Sequence, residues 1–218
     1  MKQTSNMLLT LAENFGFSVS DPEHVQQLKV SGMNFNIRTY QASEFGHISV
    51  MEATGFFGLM KMDTLIITPT EKDMPLFSYD RVLVMGNDTL IFELYDTLLG
   101  ETDLSALEKV KKDAAYLPDH DLGEHWYDSI KLAVSLSKKG KKAQTIAFDT
   151  TASHYLAQYL VAAKCASSCE AALKREKASV YVEGLLKNGG PSTDVFKKGI
   201  GEEKTAELFR NILFATED

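Results

Sequence analysis

The chain has little cysteine, no long apolar run and no excess of positive charge, and each absence excludes a class of protein. Its two cysteines are too few for a disulfide framework, and without a second pair of ligands they are a weak metal signal. No apolar run reaches the roughly 18 residues of a membrane-spanning helix, and the N-terminal stretch lacks the pattern of an export signal. The net charge of −7 disfavours nucleic acid as a general partner. We therefore expect a soluble, cytoplasmic protein with no membrane and no nucleic-acid partner.

Motifs for common cofactors are lacking as well. The chain has no Gly-x-Gly-x-x-Gly after a strand, no Gly-x-x-x-x-Gly-Lys-Ser/Thr, no Gly-x-Ser-x-Gly and no His-Glu-x-x-His. His120 and His125 have acidic residues between them, but their segment contains Pro and Gly and no further run of ligands. A polar surface loop is the better interpretation of this segment. We expect no bound cofactor and no metal.

What the chain does contain is enough apolar sequence for one core. With 218 residues, 44% of them apolar, it is long enough for a single domain over 1–218 and short for two. Alternating segments predict strands at 34–41, 46–52, 56–68, 80–85, 90–94 and 130–136. Helical patterns end near residue 15 and recur at 105–112, 150–172, 178–187 and 192–214. This order predicts an α/β/α sandwich (α+β), with a central antiparallel sheet of about six strands flanked by helices on both faces.

Two carboxylates fall where the strand pattern is apolar. The two-residue period puts Glu52 on the same face as Ile48 and Val50, and it puts Asp80 on the same face as Val82. We therefore predict that both carboxylates point into the core in the same direction. An ionised carboxylate in apolar surroundings must be paired, be hydrogen-bonded or take up a proton, and a proton held there could be passed to a ligand. The alternative is that each lies at a strand end, bound to backbone amides or to a nearby Lys or Arg.

The segment Met74-Pro-Leu-Phe-Ser-Tyr-Asp80-Arg-Val-Leu-Val resembles the Pro-Leu-Phe-x-x-Asp-Ile-Val segment of the ferredoxin-dependent bilin reductases. It follows a strand that ends in proline, as in that family. The C-terminal segment from Ser192 to Phe214, with its ending Arg210-Asn-Ile-Leu-Phe214, is similar to the last helix of the family and, as there, follows an Asn-containing loop. The resemblance covers most of the chain in order. It implies an α/β/α sandwich that holds a linear tetrapyrrole between the sheet and the C-terminal helices, without metal or flavin.

The resemblance also implies a reaction. Family members take electrons singly from reduced ferredoxin, pass through substrate radicals and deliver protons from side chains to substrates such as biliverdin. On this resemblance Asp80 contacts the pyrrole nitrogens or a lactam oxygen and donates a proton. Glu52 falls at the position of the family's catalytic glutamate, where it hydrogen-bonds a terminal ring and donates or relays another proton. Both roles need a carboxyl that stays protonated near neutral pH.

The chain departs from the family at several substrate-facing positions. Thr64 stands where several members carry a histidine, and a threonine cannot donate a proton as imidazolium does. The loop with Asn188 has no aspartate where several members place a second acid, and Asp194, one helical turn on, is the candidate substitute. We expect Thr64, Asn188 and Asp194 to contact the substrate, and the identity of the product stays open.

Ferredoxins are strongly acidic, so an acidic enzyme needs a local basic face to dock one. The lysines of the KKGKK run, Lys138, Lys139, Lys141 and Lys142, are predicted to provide it. The other interpretation of this run is an ordinary solvated turn.

Two further functions remain open at this point. The chain could bind a bilin or another haem-breakdown product without reducing it, catalysis having been lost with the histidine. It could also be a structural or regulatory domain with a filled core. The substitution Asp80→Asn helps to separate these functions from bilin reduction, because it nearly preserves the side-chain volume while it removes the proton.

Overall fold

The molecule is built on one antiparallel sheet, and the computed structural model describes residues 4–217. The sheet has seven strands, which are β1 (His24–Val30), β2 (Met33–Ala42), β3 (Gly46–Gly55), β4 (Met60–Pro69), β5 (Leu76–Val84), β6 (Asn87–Tyr95) and β7 (Leu136–Lys141). Each strand pairs with the next one along the chain. The predicted antiparallel meander is therefore confirmed. It gains β1, whose mostly polar edge sequence HVQQLKV gave no clear alternation.

Helices cover both faces of this sheet. They are α1 (Thr4–Phe15), α2 (Ser105–Asp113), α3 (Thr145–Cys165), α4 (Ala171–Asn188), α5 (Pro191–Ile200) and α6 (Glu202–Glu207). Side chains of α1, α2 and α3 pack on one face, which we call the closed face. Side chains of α4, α5 and a π-helical segment, Leu208–Leu213, pack on the opposite face, which we call the cavity face. The layering confirms the α/β/α sandwich. Within residues 4–217, none of the helices combines the length and apolar character needed to cross a bilayer.

The central strands are apolar on both sides because helices cover both faces of the sheet. In β4, for example, residues 63–69 are all buried. Residues paired across two strands share a face, whereas neighbours within one strand alternate. The face that a given side chain takes therefore depends on strand register, and an apolar alternation alone does not identify it.

The strand predicted at 130–136 is wrong. The ladder of β7 begins at Leu136, which pairs with Phe92, and it continues through the lysine run to Lys141, which pairs with Asn87. Before it, Val134 packs into the closed-face core without joining the ladder. A charged run can form this strand because β7 is the last of the sheet, where alternate side chains reach solvent.

The helix predicted over 192–214 is interrupted. Gly201 has a φ of 88°, a left-handed conformation that glycine adopts without steric cost, and α5 ends there. The short helix α6 follows before the π-helical segment. This break divides the C-terminal region into two pieces, which both pack on the cavity face and contact each other through the rings of Phe196 and Phe209.

Candidate functional site

A cavity lies between the cavity face of β3 to β6 and the chain segments that follow α2. Its empty volume, counted out to the solvent-open mouth, is about 960 Å³. Its walls are mainly apolar, with Met51, Met62 and Val82 on the sheet side and Leu185 and Phe209 on the helical side. The polar lining residues of the sheet and of α5 are Thr64, Ser78, Asp80, Glu93, Ser192 and Thr193. A mainly apolar cavity with a few polar groups is typical of a small-molecule site.

The π-helical wall of the cavity is fastened to the sheet by two side chains of β3. The Nε2–H of His47 donates to the carbonyl of Ile212 at 2.8 Å, and the hydroxyl of Ser49 donates to the carbonyl of Leu213 at 2.8 Å. Burial lowers the pKa of His47, so the ring is neutral at physiological pH. These bonds hold the π-helical segment at a fixed distance from the sheet.

Asp80 lies in the sheet wall of the cavity. It pairs across β4 and β5 with Thr64, whose hydroxyl donates to Asp80 Oδ1 at 2.5 Å. The pKa of Asp80 is raised to about 6, mainly by burial. The Thr64 hydrogen bond opposes this rise, and the negative charges of Glu93 and Asp63 contribute to it. Among the described residues no cation forms an ion pair with Asp80. The carboxyl can therefore hold a proton close to neutral pH and present it to the cavity.

Glu93 is a second carboxylate of the sheet wall, and the sequence analysis missed it. It pairs with Ser78 across β5 and β6, and it is 8% exposed. The Tyr95 hydroxyl donates to its Oε2 at 2.7 Å, while Lys131 Nζ lies 3.6 Å from its Oε1. The signal was present, because Glu93 is the one charged residue of the otherwise apolar predicted strand 90–94. Its negative charge is one of the causes that raise the pKa of Asp80.

The prediction that Glu52 and Asp80 point in the same direction is wrong. Glu52 pairs with Asp63, whereas Asp80 pairs with Thr64, the next residue of β4. Since adjacent residues of a strand face opposite sides, Glu52 lies on the closed-face side of the sheet and Asp80 on the cavity side. Glu52 is bound there to Arg38, with 2.7 Å between Arg38 Nη2 and Glu52 Oε2. Alternation placed both carboxylates in apolar rows, but the two rows belong to different faces.

Of the other predicted substrate residues, some line the cavity and some do not. Thr64 lines the cavity, as expected. Asn188 and Asp194 are exposed and do not line it. Gly190, Ser192 and Thr193 occupy the corresponding part of the wall. Asn188 ends α4 and Asp194 lies in the first turn of α5, so the loop between the two helices turns toward the cavity while these two side chains face solvent.

Aromatic side chains close the end of the cavity next to α4. Tyr127 and Tyr181 line it, and Trp126 packs against both. The indole N–H of Trp126 donates to the carbonyl of Gly189 at 3.1 Å, which ties this wall to the loop before α5. The indole occupies the space that a side chain at Gly184 would need, since a Cβ there would lie 2.2 Å from the ring. Burial raises the pKa of both tyrosines, so their hydroxyls stay protonated donors.

The two histidines of the predicted surface loop lie in different environments. His125 lines the cavity and stacks on Tyr127 with 4.8 Å between ring centroids, whereas His120 lies outside it. Over the described part of the chain, no three His, Cys, Asp or Glu side chains are close enough together to hold a metal ion.

Of the four predicted docking lysines, Lys138 is not available. Its side chain lies on the closed-face side because Lys138 pairs with Leu90. The buried ammonium donates to Asp119 Oδ1 at 2.6 Å and to the carbonyl of Leu117 at 3.1 Å. The placement corrects the prediction, since alternation along β7 turns this one lysine inward. The exposed lysines of the run are Lys139, Lys141 and Lys142.

Comparison with known proteins supports the fold. No family model matches the sequence, and no curated protein matches it. Among solved structures, the chain is similar to phytochromobilin synthase from tomato, determined in complex with biliverdin. The TM-score is 0.75 at 15% sequence identity, over 98% of this chain and 83% of that one. The likeness establishes a shared fold over nearly the whole chain, and that fold agrees with the one implied by the resemblance to bilin reductases.

Proposed function

We propose that this protein is a divergent bilin reductase that reduces a linear tetrapyrrole such as biliverdin. The observation that supports the proposal most directly is the protonatable carboxyl of Asp80 in the wall of a largely apolar cavity. The fold adds support, because a protein of the same fold has been crystallised with biliverdin. The proposal also accounts for the lack of cofactor motifs, since the pigment itself would accept the electrons.

The reduction of one double bond of the pigment takes two electrons and two protons. We assign the electrons to reduced ferredoxin, delivered one at a time, so that a tetrapyrrole radical forms between the two transfers. Asp80 supplies one proton to the pigment after each electron transfer and is reprotonated from solvent through the cavity mouth between the two, as a general acid with a pKa near working pH can be. The Thr64 hydroxyl holds the Asp80 carboxyl in place through its hydrogen bond.

Glu52 has no part in this proposal, although the resemblance implied one. Its side chain lies on the opposite side of the sheet from Asp80 and is paired with Arg38. On the cavity side, the second carboxylate is that of Glu93, which lines the same wall as Asp80. We assign Glu93 the task of raising the proton affinity of Asp80 through its negative charge.

The proposed ferredoxin site is the exposed part of the lysine run. Lys139, Lys141 and Lys142 are solvent-exposed at the edge of the sheet, and an acidic donor would be attracted to them. Replacing all three by glutamine should slow ferredoxin-driven reduction at low salt and leave bilin affinity unchanged. The matched control replaces Lys109, Lys112 and Lys187, which are also exposed. An equal effect of both triple variants would contradict this docking site.

The deciding experiment follows the visible spectrum of biliverdin mixed with the purified protein. The spectrum is recorded before and after anaerobic addition of ferredoxin, ferredoxin reductase and NADPH. A shift on mixing, followed by conversion to a new bilin, is the expected result. A protein that leaves the spectrum unchanged at both stages would contradict the proposal.

The second candidate function is a bilin carrier. The observation that favours it is Thr64, which stands beside Asp80 where several reductases place a histidine able to give a proton. A carrier would shift the biliverdin spectrum on mixing and would leave the bound pigment unreduced when electrons are supplied. The same experiment therefore separates the two functions.

A further inference from the structure

We propose that the N-terminus of α5, together with the Thr193 hydroxyl, forms a subsite for a carboxylate of the ligand. The inference rests on the proposed function, because it takes the ligand to occupy the cavity described above. Biliverdin carries two propionate groups, so a subsite for one of them would fix the direction in which the pigment enters.

The backbone at the start of α5 has N–H groups free to bind an anion. Pro191 is the first residue of the helix and has no N–H, and Gly190 before it offers no capping side chain. The Asp194 N–H is bonded to the carbonyl of Gly190 at 2.9 Å. This leaves the N–H groups of Ser192 and Thr193, for which no hydrogen bond is found among the described residues. Such uncapped N–H groups, with the helix dipole behind them, favour a negative charge.

The Thr193 side chain provides an independent observation. Thr193 lines the cavity and is 1% exposed, and its Oγ1 has no hydrogen-bond partner among the described residues. A buried hydroxyl without a partner is costly, whereas a carboxylate oxygen in the cavity would accept a hydrogen bond from it. The unpaired hydroxyl and the uncapped N–H groups therefore belong to the same corner of the cavity and require the same kind of partner.

The charges of the cavity favour this corner for a carboxylate. The sheet wall carries Asp80 and Glu93, and a ligand carboxylate placed there would face like charge. The lining of the α5 corner, Gly190, Ser192 and Thr193, has no acidic side chain, and Asp194 is exposed and outside the lining. The two walls thus suit different parts of one ligand. The acidic sheet wall suits the N–H groups of the ligand, and the α5 corner suits its carboxylate.

The test compares biliverdin with biliverdin dimethyl ester, in which both propionates are neutral. We expect the wild-type protein to bind the free acid about 10-fold or more tightly than the diester, as a hydrogen-bonded charge allows. Thr193→Val should weaken binding of the free acid by about 10-fold and leave diester binding unchanged. Thr193→Ser keeps the hydroxyl and should restore the preference for the free acid.

The matched control is Thr68→Val. Thr68 is fully buried and its Oγ1 also lacks a hydrogen-bond partner among the described residues, but it does not line the cavity. This variant should keep the wild-type preference for the free acid. Equal binding of acid and diester by the wild-type protein would overturn the subsite and leave the proposed function standing. If the wild-type protein bound neither form, the proposed function would fall and the subsite with it.

Discussion

The two faces of the sheet treat buried charge differently. On the closed face, Arg81 is fully buried and is paired with Asp88, which contacts it through both carboxylate oxygens, one at 2.7 Å from Nη2. On the cavity face, Asp80 has a hydroxyl partner in Thr64 and a second carboxylate, Glu93, in the same wall. The closed face therefore compensates its charges with opposite charges, whereas the cavity face leaves a carboxyl to be neutralised by a proton.

The two faces also differ in how completely their side chains fill the available space. The closed face is filled by aromatic rings, among which Phe92 stacks on Tyr155 with 4.2 Å between centroids. The cavity face has rings of similar size, Tyr95 and Tyr181, but they stand beside an open space. The closed face contributes stability through its packing. The cavity face has space for a ligand and a carboxyl that can take up a proton. On the proposed function, substitutions on the cavity face are expected to affect turnover, and substitutions on the closed face are expected to affect unfolding.

The largest effect is expected at Asp80 itself. Asp80→Asn nearly preserves the volume of the side chain and removes its transferable proton, so turnover of bound bilin should fall by about 10²-fold or more. Binding of biliverdin should remain, because the Thr64 hydroxyl can still donate to the amide oxygen. Single-turnover reduction and a spectral titration measure the two quantities. Undiminished turnover would show that Asp80 is not the proton donor.

On the closed face the expected loss is in stability. Arg81→Met leaves Asp88 buried without its charged partner, and breaking such a pair costs about 3–5 kcal/mol. Urea unfolding of the variant, compared with Lys109→Met in the exposed Lys109–Asp113 pair, measures this cost. The control pair should contribute no more than about 1 kcal/mol. A small loss of stability in Arg81→Met would contradict the view that the closed face depends on pairing of its buried charges.

Asp80→Asn should also change stability, in the opposite sense to Arg81→Met. Because the pKa of Asp80 is raised to about 6, its ionised form is disfavoured in the folded protein, and stability falls as pH rises from about 4 through about 6. The variant should therefore be more stable than the wild type at pH 8, by up to about 3 kcal/mol. The gain should vanish below about pH 4, where both carry a neutral group. Denaturant midpoints at pH 4 and pH 8 test this.

The sequence was sufficient to predict the layers, because alternation marks strands and helical spacing marks helices whatever their partners. It was also sufficient to single out Asp80, through both the strand pattern and the resemblance. It could not assign Glu52 to a face, since both faces of this sheet are apolar and register decides between them. The inward turn of Lys138 was hidden for a similar reason, because a run of lysines looks uniformly polar until its strand is paired.

The smallest effect is expected at Glu52, and it tests the assignment of faces most directly. Its partner Arg38 is 2.7 Å away and both side chains are partly exposed, so Glu52→Gln should cost at most about 1 kcal/mol of stability. Turnover should stay within about twofold of the wild type, because the carboxylate does not face the cavity. The resemblance to bilin reductases implies the opposite result, a loss comparable to that of Asp80→Asn. If a folded Glu52→Gln protein lost turnover to that extent, Glu52 would have to reach the ligand, and the strand register that separates the two carboxylates would be incorrect.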